Sequence, residues 1–331
     1  GVGRADDALR FGSTELKLDD INGDGYLNGF GSLTLSDSTI LGDISLETQT
    51  VLVDGVISID GDAQITANGE LKLGSSAKLT GKGEVLRLES FAGSIVQLAG
   101  SEIHATHAST TVTIRAAGSI SLVHLDAGAT GSVLIEARSG SVTMSNASAQ
   151  IISAGELLIV AENSVQTVLS VAEIAVEAGG AIELDVTGDI AVDQVSVDGV
   201  SAAGLKSLRG GAIEITQTGS GAVLVVNEDL DTSGEGAINL KSGAVDSIIR
   251  LNANVLAADG AIHLKAGQAV QVISDNVSPS DLSDLVKNAS DLTIEAADGL
   301  EFVTSAGGIA AGVIARKTSS GALRILGDQT L

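Results

Sequence analysis

Oxygen-bearing residues at alternate positions near the amino terminus form the clearest chemical motif of the sequence. Calcium loops of the form D-x-[DN]-x-[DN]-G place oxygen ligands in this way and use a glycine for a sharp turn. The twelfth position here is Gly31 instead of a bidentate glutamate, and simple Asn-Gly and Asp-Gly turns are the alternative. The sequence therefore predicts a Ca²⁺ site without that ligand, formed by Asp20, Asn22, Asp24, Tyr26 through its carbonyl, and Asn28.

The histidines and the other acidic residues do not predict a catalytic centre. His104 and His124 lie at different distances from the glycines that precede them, so we expect that they do not stack. Outward acids such as Glu183 and Glu214 are spread along the chain. Glycoside hydrolysis instead needs two carboxyl groups at a defined separation. We therefore predict a protein without enzymatic activity and with no catalytic residues.

A short phrase, Gly-x-(Ile/Leu/Val)-x-(Leu/Ile), recurs along the chain and predicts the elements that position any site. Most successive copies are 22–25 residues apart, and apolar and polar residues alternate between them. Such a period with strand-like alternation indicates stacked coils of a parallel β-helix. We expect the glycines to stand at corners where the backbone needs positive φ. Copies begin at Gly69, Gly93, Gly118, Gly140, Gly180, Gly211, Gly236, Gly260, Gly299 and Gly321.

The irregular parts of the repeat predict the domain organisation. Residues 1–30 lack the phrase, and we interpret them as an amino-terminal cap or irregular first coil. Residues 31–331 then form a single solenoid domain. Two longer glycine spacings predict excursions from it, at 200–210 and 278–290.

The second excursion carries the signals of a short helix. Ser278 precedes Pro279, and acidic residues follow in the first turn. Leu282, Leu285 and Val286 share one helical face. These features are typical of a helix start and an amphipathic helix, and they predict an inserted helix near 279–289.

Composition restricts the partners of the protein. The net charge of −24 argues against nucleic acid, whose phosphates attract basic surfaces. No apolar run approaches the roughly 18 residues of a membrane-spanning helix, so we expect no membrane insertion. The chain has no cysteine, which excludes disulfides and thiolate metal sites. The sequence opens without an initiator methionine or a signal peptide, and we expect a processed chain or a segment of a longer protein.

The phrase as it stands in Gly236-Ala-Ile-Asn-Leu and Gly260-Ala-Ile-His-Leu resembles the repeats of filamentous-haemagglutinin-type bacterial surface adhesins. The resemblance covers roughly residues 55–325. It implies a right-handed parallel β-helix on a secreted or cell-surface bacterial protein that presents a rod for adhesion or matrix building. We therefore expect an extracellular structural or adhesive rod that contacts a host-cell, matrix or neighbouring-subunit surface. The alternatives are a carbohydrate-active β-helix of the tailspike or lyase type, and a filament subunit that assembles end to end.

Overall fold

The computed structural model describes residues 2–12, 14–18, 21–144, 152–257, 260–273, 286–287, 292–295, 300–303, 309–310 and 323–326. These residues form β-strands and no helix, and therefore contain no helix that could span a membrane. Strands of successive coils pair in parallel, which confirms the predicted parallel β-solenoid. The chain forms two compact units. Unit 1 is Gly1–Asn163 with Ser196–Val200, and unit 2 is Ser164–Val195 with Ser201–Leu331.

Unit 1 consists of three ladders of parallel strands, and each ladder forms one face of the solenoid. The phrase face, named for the strands that follow the phrase glycines, contains β2 (Glu15–Lys17), β4 (Ser32–Ser36), β7 (Thr50–Val53), β10 (Leu71–Leu73), β13 (Ile95–Gln97), β16 (Ile120–Leu122) and β19 (Val142–Met144). The second face contains β5 (Ser38–Ile40), β8 (Val56–Ile59), β11 (Lys78–Gly81), β14 (Glu102–Ala105), β17 (Leu125–Asp126) and the start of β20 (Ile152–Ala161). The third face contains β1 (Leu9–Phe11), β3 (Gly25–Gly29), β6 (Ile44–Thr48), β9 (Ala63–Ala67), β12 (Val85–Ser90), β15 (Thr111–Ala116), β18 (Ser132–Ala137) and the end of β20.

Unit 2 has the same order of faces along its coils, and the long strand β21 (Val165–Ala178) contributes to all three. Its phrase face continues with β22 (Ile182–Thr187), β27 (Ile213–Thr218), β30 (Ile238–Ser242), β33 (Ile262–Lys265), β36 (Leu292–Glu295) and β39 (Leu323–Leu326). Its second face continues with β23 (Ile190–Val192), β28 (Val223–Val226), β31 (Ile248–Leu251), β34 (Ala269–Ile273) and β37 (Leu300–Val303), beside which lies the antiparallel β38 (Ile309–Ala310). Its third face continues with β26 (Leu205–Ser207), β29 (Leu230–Thr232), β32 (Val255–Ala257) and β35 (Val286–Lys287).

Aliphatic side chains fill the interior of each unit in stacked columns. The register of the third face of unit 1 aligns Leu46, Ile65 and Leu88 in successive coils, and all three are fully buried. Ile213 and Ile238 stack in the same way in unit 2. Burial of one such side chain contributes about 1.5–3 kcal/mol relative to exposure, so the columns are the main source of stability.

Coil length changes along the chain. Leu27 pairs with Leu46, which is 19 residues further on, whereas Ile213 pairs with Ile238, which is 25 residues further on. The predicted 22–25 residues per coil therefore fits some later coils, while the first coils are shorter and the coil from Ile182 to Ile213 is longer. The strands β1, β2 and β3, which lie within the segment predicted as a cap, belong to the same ladders as the strands that follow them.

The register corrects one assignment that glycine spacing suggested. Ile262 pairs with Leu292 on the phrase face, so the coil after Gly260 does not end near Gly299. The strand that follows Gly299 pairs instead with β34 on the second face. An alternating strand after a glycine can lie on any face, which explains why spacing alone gave the wrong assignment.

The predicted helix near 279–289 is wrong where it can be compared with the structure. Val286 and Lys287 form β35, which pairs in parallel with Val255 and Leu256. The backbone N–H and C=O groups of these two residues take their hydrogen-bond partners from the neighbouring strand β32 and not from a helical turn. The rest of the predicted helix and excursion lies outside the described residues.

The phrase glycines are required by the close approach of the neighbouring coil. A Cβ atom on Gly93 would lie 2.6 Å from the carbonyl carbon of Gly69, and one on Gly236 would lie 2.3 Å from the carbonyl oxygen of Gly211. Neither Gly93 nor Gly236 has positive φ. Positive φ, expected for glycines at corners, is found at others such as Gly55 and Gly100, whereas at these two positions glycine is needed because any side chain would force the stacked backbones apart.

One hairpin leaves the ladders between the second and third faces of unit 2 and overlaps the predicted excursion at 200–210. Its strands β24 (Gln194–Val197) and β25 (Val200–Ala203) form a separate two-stranded sheet. Asp198 and Gly199 connect them with φ values of 50° and 76°. Asp-Gly with two positive φ angles is the preferred two-residue hairpin turn. The hairpin tip, Ser196–Val200, is part of unit 1.

Candidate functional site on the third face of unit 1

The outer side of the third face of unit 1 gathers charged residues from successive coils. Side chains alternate between the two sides of a strand, so the residues between the buried aliphatic positions of β12, β15 and β18 point outward. The register aligns Glu89, Arg115 and Glu136 in one outward row. Arg87 and Thr113 stand side by side in the adjacent row.

Asp198, at the tip of the hairpin, places its carboxylate between these two rows. Arg87 Nη2 lies 2.9 Å from both Oδ1 and Oδ2 of Asp198. Arg115 Nη1 lies 3.0 Å from Oδ2, and the hydroxyl of Thr113 donates to the same oxygen at 3.1 Å. Two guanidinium groups and one hydroxyl therefore converge on a single carboxylate, and hydrogen bonds between ionised groups are about twice as strong as neutral ones.

Arg115 also binds the carboxylates on either side of it in its own row. Its Nε lies 2.9 Å from Glu136 Oε2, and its Nη1 lies 3.7 Å from Glu89 Oε1. Glu136 accepts a further hydrogen bond from Arg138 Nε at 3.1 Å. We call this set the arginine–carboxylate cluster; it comprises Arg87, Glu89, Thr113, Arg115, Glu136, Arg138 and Asp198.

Most of the cluster is withdrawn from solvent. Thr113 is fully buried, and the side chains of Glu89 and Arg115 are only 11% and 17% exposed. The outward row of Thr113 continues into Leu134 and Leu158, which are also fully buried. Outward positions of a solenoid normally face water, so this part of the third face differs from an ordinary solvated surface.

The cluster is electrically balanced. Its three arginines and three carboxylates have a summed formal charge of zero, in a chain whose net charge is −24. The acidic excess of the protein therefore lies elsewhere on its surface.

A second group of charged residues lies on the second face of unit 1. His104 Nε2 lies 3.1 Å from Glu102 Oε2 and its Nδ1 lies 3.9 Å from Asp126 Oδ2. The hydrogen bond with His104, followed by the contact with Lys78, lowers the pKa of Glu102 below 4.5. The rings of His104 and His124 lie 5.2 Å apart at a tilt of 55°, a contact that the sequence did not predict, although the two residues are not paired in register, as expected. The register explains the contact. His104 pairs with Asp126, and His124 stands two residues before Asp126, so the two histidines are diagonal neighbours on adjacent coils.

The residues predicted to bind calcium lie partly in β3 and partly before it. Tyr26 and Asn28 lie in β3, where they point outward from the third face. Asn22 precedes this strand, and Asp20 lies outside the described residues. Over the described part of the chain, no group of three or more His, Cys, Asp or Glu side chains has the geometry to hold a metal ion. Calcium binding stays a prediction.

Asp24, the remaining predicted ligand, has a structural contact of its own. Its Oδ1 accepts a hydrogen bond from the backbone N–H of Asp43 at 3.1 Å. Asp43 repeats the contact with the N–H of Asp62 at 2.8 Å, one coil further on. Aspartates at this corner therefore link successive coils, which accounts for an acidic residue at position 24 without a metal.

Sequence reasoning did not single out any residue of the arginine–carboxylate cluster. The signal was present, since Glu89, Arg115 and Glu136 alternate in charge at intervals of about one coil. Asp198 carried no such signal, because its position depends on how the hairpin docks. Comparisons with models of known protein families, with curated proteins and with solved structures gave no match.

Proposed function

We propose that this chain is a non-enzymatic structural and adhesive rod segment of a large extracellular bacterial surface protein. The observation that carries the proposal is the continuous stacking of parallel strands over aliphatic columns within each unit. Each coil of such a solenoid is stabilised by its neighbours, so the fold resists local opening. A protein whose task is to hold a surface rigid outside the cell benefits from this property.

The charge distribution supports the same role. A net charge of −24 keeps stacked coils soluble and disfavours self-association through exposed surfaces. The three arginines of the arginine–carboxylate cluster are paired with carboxylates of the same cluster. Partners with basic surfaces on a host cell or in a matrix fit the remaining acidic exterior.

Adhesion under flow tests the proposal. Beads coated with the chain are passed over epithelial cells and over immobilised matrix proteins, and their retention is compared with that of uncoated beads. The matched control carries Ile114→Asp, which places a charge in the buried column and should unfold unit 1. We expect retention by the folded chain alone, together with resistance to a protease dose that digests the control. Retention no greater than that of uncoated beads on every surface would reject the adhesive role.

A carbohydrate-active enzyme is the second candidate, because the cluster brings three carboxylates and three arginines together on one outer face. All of these carboxylates contact arginine, which favours an ionic lock over acid–base chemistry. The test is the release of new reducing ends from polyuronates and neutral polysaccharides. Release that is lost in Glu136→Gln but kept in Glu47→Gln, an outward residue of β6, would establish the enzyme and overturn our proposal.

A further inference from the structure

The groups that bind Asp198 belong to a part of the molecule that is built independently of it. Arg87 and Thr113 lie in β12 and β15, and Arg115 lies two residues beyond Thr113. These strands are fixed by ladder hydrogen bonds and by the buried column beneath them. Asp198 comes from the separate two-stranded hairpin. Receptor groups and carboxylate are thus supplied by different elements.

Asp198 does not use every donor that this site offers. Arg87 Nε is buried and has no hydrogen-bond partner. A buried donor without an acceptor costs about 1–3 kcal/mol, so Arg87 keeps one donor that Asp198 does not satisfy. Thr113, which is fully buried, directs its hydroxyl at the same position. These features indicate a site shaped for an anion and not only a surface ion pair.

The local charge also favours an anion once Asp198 is absent. Without it the cluster keeps three arginines against Glu89 and Glu136, a balance of 3 − 2 = +1. Arginine and hydroxyl donors arranged around one point are typical of carboxylate recognition.

We propose that Arg87, Thr113 and Arg115 form a carboxylate-binding site whose occupant in this structure is the chain's own Asp198. The hairpin tip Ser196–Val200, which belongs to unit 1, is then a latch, and a carboxylate-bearing ligand competes with Asp198 for the site. A tethered group acts at an effective concentration on the order of millimolar, so a competing ligand needs many carboxylates or a high local concentration. This inference goes beyond the proposed rod function and does not depend on adhesion.

The test is rescue of a hairpin variant by a small carboxylate. Asp198→Gly removes the side chain while glycine accepts the positive φ of this turn, which leaves a vacant site. Asp198→Asn is the matched control, because asparagine also suits the turn and fills the site with a neutral group of the same shape. Sodium acetate is the probe, and sodium chloride at the same ionic strength is the reference.

We expect acetate to raise the Tm of Asp198→Gly by about 2–4 °C beyond chloride, in a saturable manner. Wild type and Asp198→Asn should respond to acetate as they do to chloride. Adding Arg87→Met to the glycine variant should abolish the rescue. Equal shifts in all proteins, or no response of the glycine variant, would overturn the proposal.

A double-mutant cycle keeps the proposal testable if Asp198→Gly does not fold. Arg87→Met, Asp198→Asn and the double variant are compared by urea unfolding. The proposal requires that the second substitution lowers the free energy of unfolding clearly less when the first substitution is already present. Strictly additive effects would show that the two residues do not interact and would overturn it.

Discussion

One outward row of the third face of unit 1 passes through two different environments. Its first part contains Ser45 and Gln64, which contact water, and its later part contains Thr113 and Leu134, which are fully buried. The inward row next to it is buried from Leu27 onward, whereas Leu9 at its start is 48% exposed. After the first coil, the repeat therefore constrains the inside of unit 1 in the same way in successive coils, while the outside is free to diverge and to acquire a site.

The largest effect tests whether the inside is equivalent in the two regions. Leu46 belongs to the inward row where the outward neighbour Ser45 is not buried, and Ile114 belongs to the same row beneath the arginine–carboxylate cluster. Each is replaced by alanine. Both residues are fully buried, so each substitution should cost about 2–5 kcal/mol through lost burial and a residual cavity. Urea unfolding followed by circular dichroism measures both. A cost below 1 kcal/mol for either one would contradict an evenly packed interior.

The next effect compares the stability contributed by outward side chains near the cluster with that contributed by outward side chains elsewhere. Leu134→Ala removes an outward but fully buried side chain and should cost about 2–4 kcal/mol, as a core substitution does. The matched control is Leu52→Ala, an outward residue of the phrase face that is only partly buried, with an expected cost of about 0–1 kcal/mol. Similar costs would mean that the outer surface near the cluster is not covered.

The cluster itself should show a smaller effect. Arg115→Met removes a positive charge that is paired with Glu89, Glu136 and Asp198 at a partly buried position. We expect the free energy of unfolding to fall by about 1–3 kcal/mol. Arg138→Met is the control, because its side chain is 55% exposed and such pairs contribute about 0–1 kcal/mol. Thermal melts at low and high salt provide the measurement. The reverse ranking would contradict the central position of Arg115.

The smallest effect concerns the open second face and depends on pH. The pKa of Glu102 is lowered by its hydrogen bond with His104 and by Lys78, so the folded state favours the ionised carboxylate. The resulting stability is present above the unfolded pKa near 4.5 and is lost as pH falls through the lower folded value. The Tm difference between wild type and Glu102→Gln should therefore be positive near neutral pH and vanish in acid. A difference that does not change with pH would show that Glu102 contributes no ionic stabilisation.

The sequence predicted the strands well and the site poorly, for reasons that particular residues illustrate. Alternation around Ile213 and Ile238 identifies inward positions directly, because side chains of a strand point to opposite sides. Arg87 and Asp198 are 111 residues apart and meet only because the hairpin tip, Ser196–Val200, packs within unit 1. No local pattern contains that information. The contact between His104 and His124 was missed for a related reason, since it depends on which corner residue precedes the next strand.

The period and the alternation by themselves determined that the chain folds into stacked parallel coils with an aliphatic interior, because each coil can bury its apolar side only against another. The tertiary structure decided which face each strand joins and why the phrase glycines are glycines, since the approach of Gly69 to Gly93 is set by the neighbouring coil. It also decided that Asp198 lies between Arg87 and Arg115. Packing distances and ion pairs between distant residues depend on three-dimensional stacking, which a one-dimensional period does not specify.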